Sequence, residues 1–530
     1  MIYKHKIFKK ILSFMLDLAV VCPILTMSGC MAENFSVYFG ITEMPYNVDP
    51  QKAQSQAELL AVRNCFRGLY KQDKDGNAVP DLAKTAEKSA DGLTYTFTLH
   101  AAEWKNGSPV TSDDFLFALQ RASDPVTKSA FAHLLINIRG VEKRLSGEGD
   151  GSIGVAAPND NTLVITLSKP DKNFTTKLTQ AVFMPCNREF FEATGGKYGL
   201  DRKNILTNGA YYPSQWVEDK HLKLTMVNEP DSRYLVAENV YLSVSTTGKS
   251  NLQRIKAKEI GVAVDSSVDL SGINTEVYKV ESLYLKNYAL VFNKTSAVGA
   301  SELMTDAFAR AIHREKFKVN MNERFIAAES VLPEDSTLFS SAVGGFESIK
   351  YGYELDSEKA RTEFLEALKE MKNGKLPEIK VLCIDTPEIR AVLNEIVSQW
   401  QSVLGAYVNV SLYRSEESLL VDAKSGSFTA ALVPLSGTAP EILSLFADGD
   451  SGLYIGNEQY DALVKKLNDT DNSTSAKQYI EDCLTILSTE SSVIPVISVP
   501  TSYIYNSGYY DLYFSRVDGT VDFLIIYKKQ

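Results

Sequence analysis

The sequence predicts a large α/β protein of several domains, with a parallel sheet in its C-terminal half. One supersecondary unit carries most of that reading. Ile379-Lys-Val-Leu-Cys-Ile384 is an apolar strand pattern, and Thr386 then caps a helix that has Pro387 at its first position. Ile389, Val392, Leu393, Ile396, Val397, Trp400 and Leu404 come next at helical spacing, Gly405 supplies the stop, and Tyr407-Val-Asn-Val-Ser-Leu-Tyr413 is a second strand. Strand, helix, strand implies a parallel pair with a right-handed crossover. Alternating strand patterns at 93–99 and 162–167, and helical patterns near 458–467 and 474–489 before the apolar strand 493–499, extend the mixed α/β reading.

Taken from the start, Lys4, Lys6, Lys9 and Lys10 precede a stretch, 11–27, that is apolar apart from Asp17, and Met27-Ser28-Gly29-Cys30 closes it. A basic start, a short apolar core and small residues at its end make an export signal. An uncleaved membrane anchor fits less well. Asp17 at the centre of a spanning helix would cost about 3 kcal/mol, and Pro23 disturbs the helix further. Beyond the signal the chain has about 500 residues, enough for roughly three domains. Its first strand pattern is Phe35-Ser-Val-Tyr-Phe39. Asp91-Gly92 opens the strand 93–99, Asn106-Gly107 is a tight turn, and Thr111 caps a helix with Asp114 three positions on. Ala360, Phe364, Leu368 and Met371 make one face of a further helix, ended by Gly374.

Formal net charge is -11, and the signal is its most basic stretch, so the exported part is more acidic still. An acidic chain without a basic run is a poor nucleic-acid binder. Cys65, Cys186, Cys383 and Cys483 are widely separated, and buried free thiols are expected. Motifs for chemistry fail on context. Gly149-Asp-Gly151-Ser-Ile-Gly154 fits a dinucleotide fingerprint, but Val-Ala-Ala-Pro158 comes where a helix is required. Asp73-Lys-Asp75-Gly76-Asn77 is read as a hairpin turn, and Gly248-Lys-Ser250 lacks the first glycine of a phosphate loop. The histidines have no metal-ligand spacing, no nucleophile elbow is present, and no cofactor or metal is implied.

Met-Ser-Gly-Cys30 resembles the lipobox of bacterial lipoproteins, in which the cysteine is acylated and becomes the new N-terminus. Ala102-Glu-Trp104-Lys-Asn106-Gly107-Ser-Pro109-Val110-Thr111-Ser-Asp113-Asp114-Phe115 resembles the signature of the oligopeptide-type (family 5) solute-binding proteins of ABC importers. Asn47-Val-Asp49-Pro50, Phe66-Arg-Gly68-Leu69-Tyr70, Pro80-Asp-Leu-Ala83, Asn161–Leu167, Leu206-Thr-Asn208-Gly209-Ala210-Tyr211 and Ile494-Pro495-Val496 continue the likeness in order. Trp104 within it is read as a packing residue.

That resemblance implies a two-lobed periplasmic-binding-protein-like fold of type II, with an extra inserted domain and a cleft that closes by a hinge. It places the signal at 1–29, lobe one at 31–71, 194–283 and 498–530, the insertion at 72–193, and lobe two at 284–497. It further implies an exported receptor, anchored by lipid at Cys30 to the outer face of the cytoplasmic membrane. The partners are a peptide or other small-molecule ligand and the permease and ATPase of an importer, with no nucleic acid; the chain is expected to be a monomer and not an enzyme. The alternatives are a surface sensor on the same scaffold and, further off, an exported hydrolase.

Gln54, Ser55 and Gln56 lie where the family's lobe-one strand meets the ligand. In lobe two, alignment on Pro440 puts Leu432, Val433 and Ser436 where peptide binders of this type carry Gly, Trp and the Asp that pairs with the peptide's ammonium. Ser498 stands in the family's tyrosine-rich late strand, and Glu229-Pro230-Asp231 replaces an Asn-x-x-Tyr-Trp stretch. The scaffold is retained, while the residues that usually hold a peptide's end are not.

Overall fold

The computed structural model describes residues 35–528 apart from 74–75, 149–150, 172, 228–235, 266–272, 318–324, 336, 339–340, 343–348, 372–373, 415, 448, 450, 471, 511 and 516–518. The leader with Cys30 and the segment 229–231 lie outside the described residues.

Two long strands organise the molecule: Tyr278–Phe292 and Val493–Asn506 run antiparallel along each other. Each belongs to two neighbourhoods. Residues 286–292 of the first pair with Ala430–Ser436, which continues in parallel to Ile379–Ile384 and Val408–Tyr413. At the other end, residues 502–505 of the second pair with Val262–Asp265, followed by Ser36–Gly40, Asn239–Ser243, His221–Met226 and Tyr211–Val217. With the short Ile326–Ala327, these strands form one 11-stranded sheet among the described residues. The ladder between the long strands is interrupted between Leu283 and Lys286. Tyr284 there turns its backbone to Asp335, donating its N–H to Oδ2 at 2.7 Å and accepting the Asp335 N–H at 3.1 Å.

Apolar burial divides at the same point. One core joins Tyr288–Phe292 to helices and strands as far as Ile497, with Trp400 fully buried and 4.7 Å from Phe308 ring to ring. Removing a side chain of that size from such a site costs about 3–5 kcal/mol. A second core joins residues near the start, Val37 and Phe39, to Leu283 and to the late residues Tyr503, Phe514 and Phe523. The chain therefore folds as two lobes connected through two strands. The four-stranded sheet of Ala83–Lys88, Thr94–Leu99, Thr162–Thr166 and Val155–Asn159 adds its apolar face to this second core, so segment 72–193 is rooted in lobe one.

Local chemistry explains the elements. Thr386 Oγ1 accepts the Ile389 N–H, Pro387 opens the helix Pro387–Leu404, and Gly405 closes it at φ 68°. Strands 379–384 and 408–413 pair in parallel, residue for residue. Thr111 precedes the helix Ser112–Ala122, and the Asp114 carboxylate accepts the Thr111 N–H at 2.8 Å and the Trp104 indole N–H at 3.0 Å. Trp104 is buried, so it packs as expected. Strands Tyr70–Gln72 and Ala78–Pro80 pair antiparallel on either side of 73–77, of which 74–75 lie outside the described residues, and a strand, not a helix, comes after Gly154. All four described cysteines are free and buried. Two differences from the sequence-based expectation have simple causes. The helix of 357 onward ends at Glu370, one residue before its last apolar position. The last apolar strand runs on to Asn506, past Pro500, whose missing donor falls at the break in the ladder.

Candidate functional site

On the lobe-one side everything turns on Glu58. Its buried carboxylate accepts four N–H groups: Asn47 N at 3.1 Å and Asn47 Nδ2 at 2.9 Å on Oε1, and Gln54 N at 2.9 Å and Ser55 N at 3.1 Å on Oε2. Both ends of the loop 47–55 are thereby tied to one side chain. Ser55 Oγ accepts the Glu58 N–H in return, so residues 55–58 form a capping box and Gln56 is the first residue of the helix Gln56–Cys65. This corrects the expectation of a strand at this point. The N–H groups of Gln54 and Ser55 are engaged by Glu58, which leaves side chains for a ligand to meet. Gln54 is exposed. Gln56 Nε2 donates to the Tyr503 hydroxyl at 3.3 Å, which donates to Gly519 O at 2.6 Å. A Cβ on Gly519 would stand 3.1 Å from Gln56 Nε2 and 3.8 Å from Leu285 Cδ1, and the residue sits at φ 66°. Glycine is required there, and Gln56 is thus placed beside the strand break at 284–285.

The loop itself is anchored deeper. Asp49 and Arg121 form a buried two-pronged ion pair, Oδ2 to Nη2 at 2.6 Å and Oδ1 to Nη1 at 3.2 Å. The guanidinium lies 4.0 Å from the Phe191 ring and 5.3 Å from Tyr198. Burial acts to lower its pKa, but Asp49, Cys186 and Tyr198 together hold it above the ordinary arginine value. Burial also pushes the Cys186 thiol up to about 12, which keeps it protonated beside that cation. Gln51 accepts from Arg121 at 2.8 Å and donates to Met184 O at 2.9 Å, linking the loop to segment 72–193.

On the lobe-two side the strand register decides which residues face the junction. Lys286 lies opposite Ser436 on one neighbour and opposite Val499 on the other, so Ser436, Lys286 and Val499 form a row on one face. Ser436 is exposed. Lys286 Nζ lies 2.7 Å from Glu416 Oε1, which also accepts the Tyr288 hydroxyl at 3.1 Å. Burial and then Glu416 raise the Tyr288 pKa well above its usual value, so it remains a donor. Ser498 belongs to the opposite face: it pairs with Asn287 and Ile326, is 3% exposed, and its Oγ has no hydrogen-bond partner among the described residues. Leu432 and Val433 are fully buried, and their side chains fill the lobe-two core opposite Leu290 and Ala289. Glu441 is spent locally: its Oε2 accepts both the N–H and the hydroxyl of Thr438 at 2.9 Å.

The structure therefore brings Gln56 and Ser436 to the two sides of one strand break and sends Leu432, Val433 and Ser498 elsewhere. Lys286 and Glu416 were not visible in sequence. They are 130 residues apart and no motif contains either; only the fold, which sets the helix Glu416–Ser425 against strand Tyr278–Phe292, joins them.

Two lobes on a shared sheet, joined through two strands and with polar side chains from both at the break, define a hinged two-lobed binding protein. Comparison with known proteins agrees. Residues 77–450 match the family described as bacterial extracellular solute-binding proteins, family 5 middle. The chain belongs to that family. It is 29% identical over 401 residues to the oligopeptide-binding protein OppA of Bacillus subtilis, covering 71% of this chain and 70% of that one. It is 25% identical over 492 residues to the dipeptide-binding protein DppE of the same organism, covering 89% and 87%. The solved structure of Listeria monocytogenes OppA bound to peptide superposes with a TM-score of 0.73 at 22% identity, covering 94% of this chain and 100% of that one.

Proposed function

We propose that this protein is a lipid-anchored receptor that binds a peptide or peptide-like ligand between its lobes and delivers it to the permease and ATPase of an ABC importer. One observation carries the reading: Gln56 of lobe one and the row Ser436–Lys286 of lobe two converge on the break at 284–285 in the strands that join the lobes. A ligand there touches both lobes only when they are close together, so its binding energy favours the closed arrangement. The names of the relatives support the ligand class. We place lobe one at 31–71, 194–283 and 498–530, the insertion at 72–193 and lobe two at 284–497, in keeping with the division of the cores at Leu283. Side chains of Gln54, Gln56 and Ser436 face the ligand; Ser55 fixes the helix start, and Leu432, Val433 and Ser498 support the site from behind. Cys30 carries the lipid, and the receptor works as a monomer.

Native mass spectrometry of protein purified from its own host should show a retained peptide-like mass, and small-angle scattering should show compaction when ligand is restored. A ligand that binds without compaction would defeat the closing-cleft reading. For the anchor, Cys30→Ala should lose incorporation of a fatty-acid analogue, and labelling that persisted would reassign membrane attachment to residues 11–27.

A further inference from the structure

The row Ser436–Lys286–Val499 contains a hydroxyl, a cation and an apolar side chain, and the cation occupies the middle. Lys286 has three N–H donors, one of which is directed at Glu416. Its side chain is 36% exposed and that of Glu416 35%, so about a third of each remains in water at the edge of the interlobe junction. Glu416 is held from a second side by the Tyr288 hydroxyl, which fixes the carboxylate and thereby the ammonium. The other acid nearby in sequence, Glu441, is turned to Thr438.

We propose that Lys286 sets the charge that this receptor accepts beside Ser436: a ligand ammonium is rejected there, and a ligand carboxylate is received. This rests on the reading of a peptide-like ligand between the lobes. An incoming ammonium meets a like charge in a site that loses water as the lobes close, while Glu416 is already engaged by Lys286 and Tyr288. An incoming carboxylate takes the remaining donors of Lys286 without breaking the pair. The favoured substrate class is an acylated or acidic peptide, in which the nitrogen is uncharged or carries a carboxylate-bearing substituent.

Calorimetry on the purified full chain with trialanine, N-acetyl-trialanine and N-succinyl-trialanine tests this. The expected order of affinity is succinyl, acetyl, free, with each step about tenfold or more. In Lys286→Met the succinyl advantage over acetyl should fall to about threefold or less, whereas Lys286→Arg, which keeps the charge, should retain it. The melting temperature of each variant, measured without ligand, should match that of the parent, which separates a ligand contact from a structural role. Free trialanine binding as tightly as the acetylated form, or a succinyl preference that survives in Lys286→Met, would overturn the inference alone. Failure of all three peptides to bind would overturn the peptide reading and this inference with it.

Discussion

The two ion pairs that flank the candidate site use the same chemistry to opposite ends. Arg121–Asp49 is sealed, with side chains 8% and 1% exposed, two prongs, two aromatic neighbours and a glutamine that passes the link on to segment 72–193. Lys286–Glu416 has a single contact and about a third of each side chain in water. Charges taken wholly out of water must be paired in full, because either one left alone is very costly. A half-exposed pair can exchange a partner cheaply. The first therefore builds the loop that presents Gln54–Gln56, and the second remains open to negotiation with whatever enters the cleft.

Arg121→Met gives the strongest test of that contrast. It strands the Asp49 carboxylate in the core, and unfolding free energy from urea melts should fall by about 3–5 kcal/mol. A loss under about 1 kcal/mol would make the two pairs equivalent and dissolve the comparison. Ligand binding comes next. A ligand that binds only the native state at a hundredfold excess over Kd adds about 2.7 kcal/mol, read as a rise in Tm accompanied by compaction. That rise should persist in Lys286→Arg.

Asp114 sharpens the comparison, since it is buried but held by neutral donors, the Thr111 N–H and the Trp104 indole. Burial raises its pKa above the ordinary aspartate value despite those bonds. A carboxylate with a raised folded pKa contributes stability below its unfolded pKa and loses it as pH rises through the folded one. Stability of Asp114→Asn relative to the parent should therefore climb as pH rises above about 4, the unfolded aspartate value. A flat difference would mean that the hydrogen bonds cancel the effect of burial. The smallest effect belongs to Lys286→Met without ligand, whose stability should stay within about 1 kcal/mol of the parent.

How far the sequence could be read depends on where the information sits. The unit 379–413 was legible because caps, periodicity and turn residues all agree over a few dozen positions. Strand Tyr278–Phe292 was not. Its lobe-one end alternates with polar residues such as Lys279 and Glu281, while its lobe-two end is buried on both faces, so no single period describes it. Pro500 hid the second half of its partner in the same way. At the site, Asn47–Pro50 and Gln54–Gln56 could be located by resemblance, but the role of Glu58 could not. Four N–H groups converging on one carboxylate is a fact of folding and not of composition. Leu432 and Val433 show the converse: an alignment gives a position, and only the pleat of the sheet gives a direction.

The shared sheet also imposes an order of assembly. The core of lobe two draws on residues between Tyr288 and Ile497, one unbroken stretch of chain. The core of lobe one needs Phe39, near the beginning, to meet Phe523, near the end, with ring centroids 5.9 Å apart. A chain made and threaded outward from its N-terminus cannot complete that first core until its last few residues have emerged. The packing of Phe39 on Phe523 therefore waits for nearly the whole of the chain, which suits a member of a family that works outside the cell.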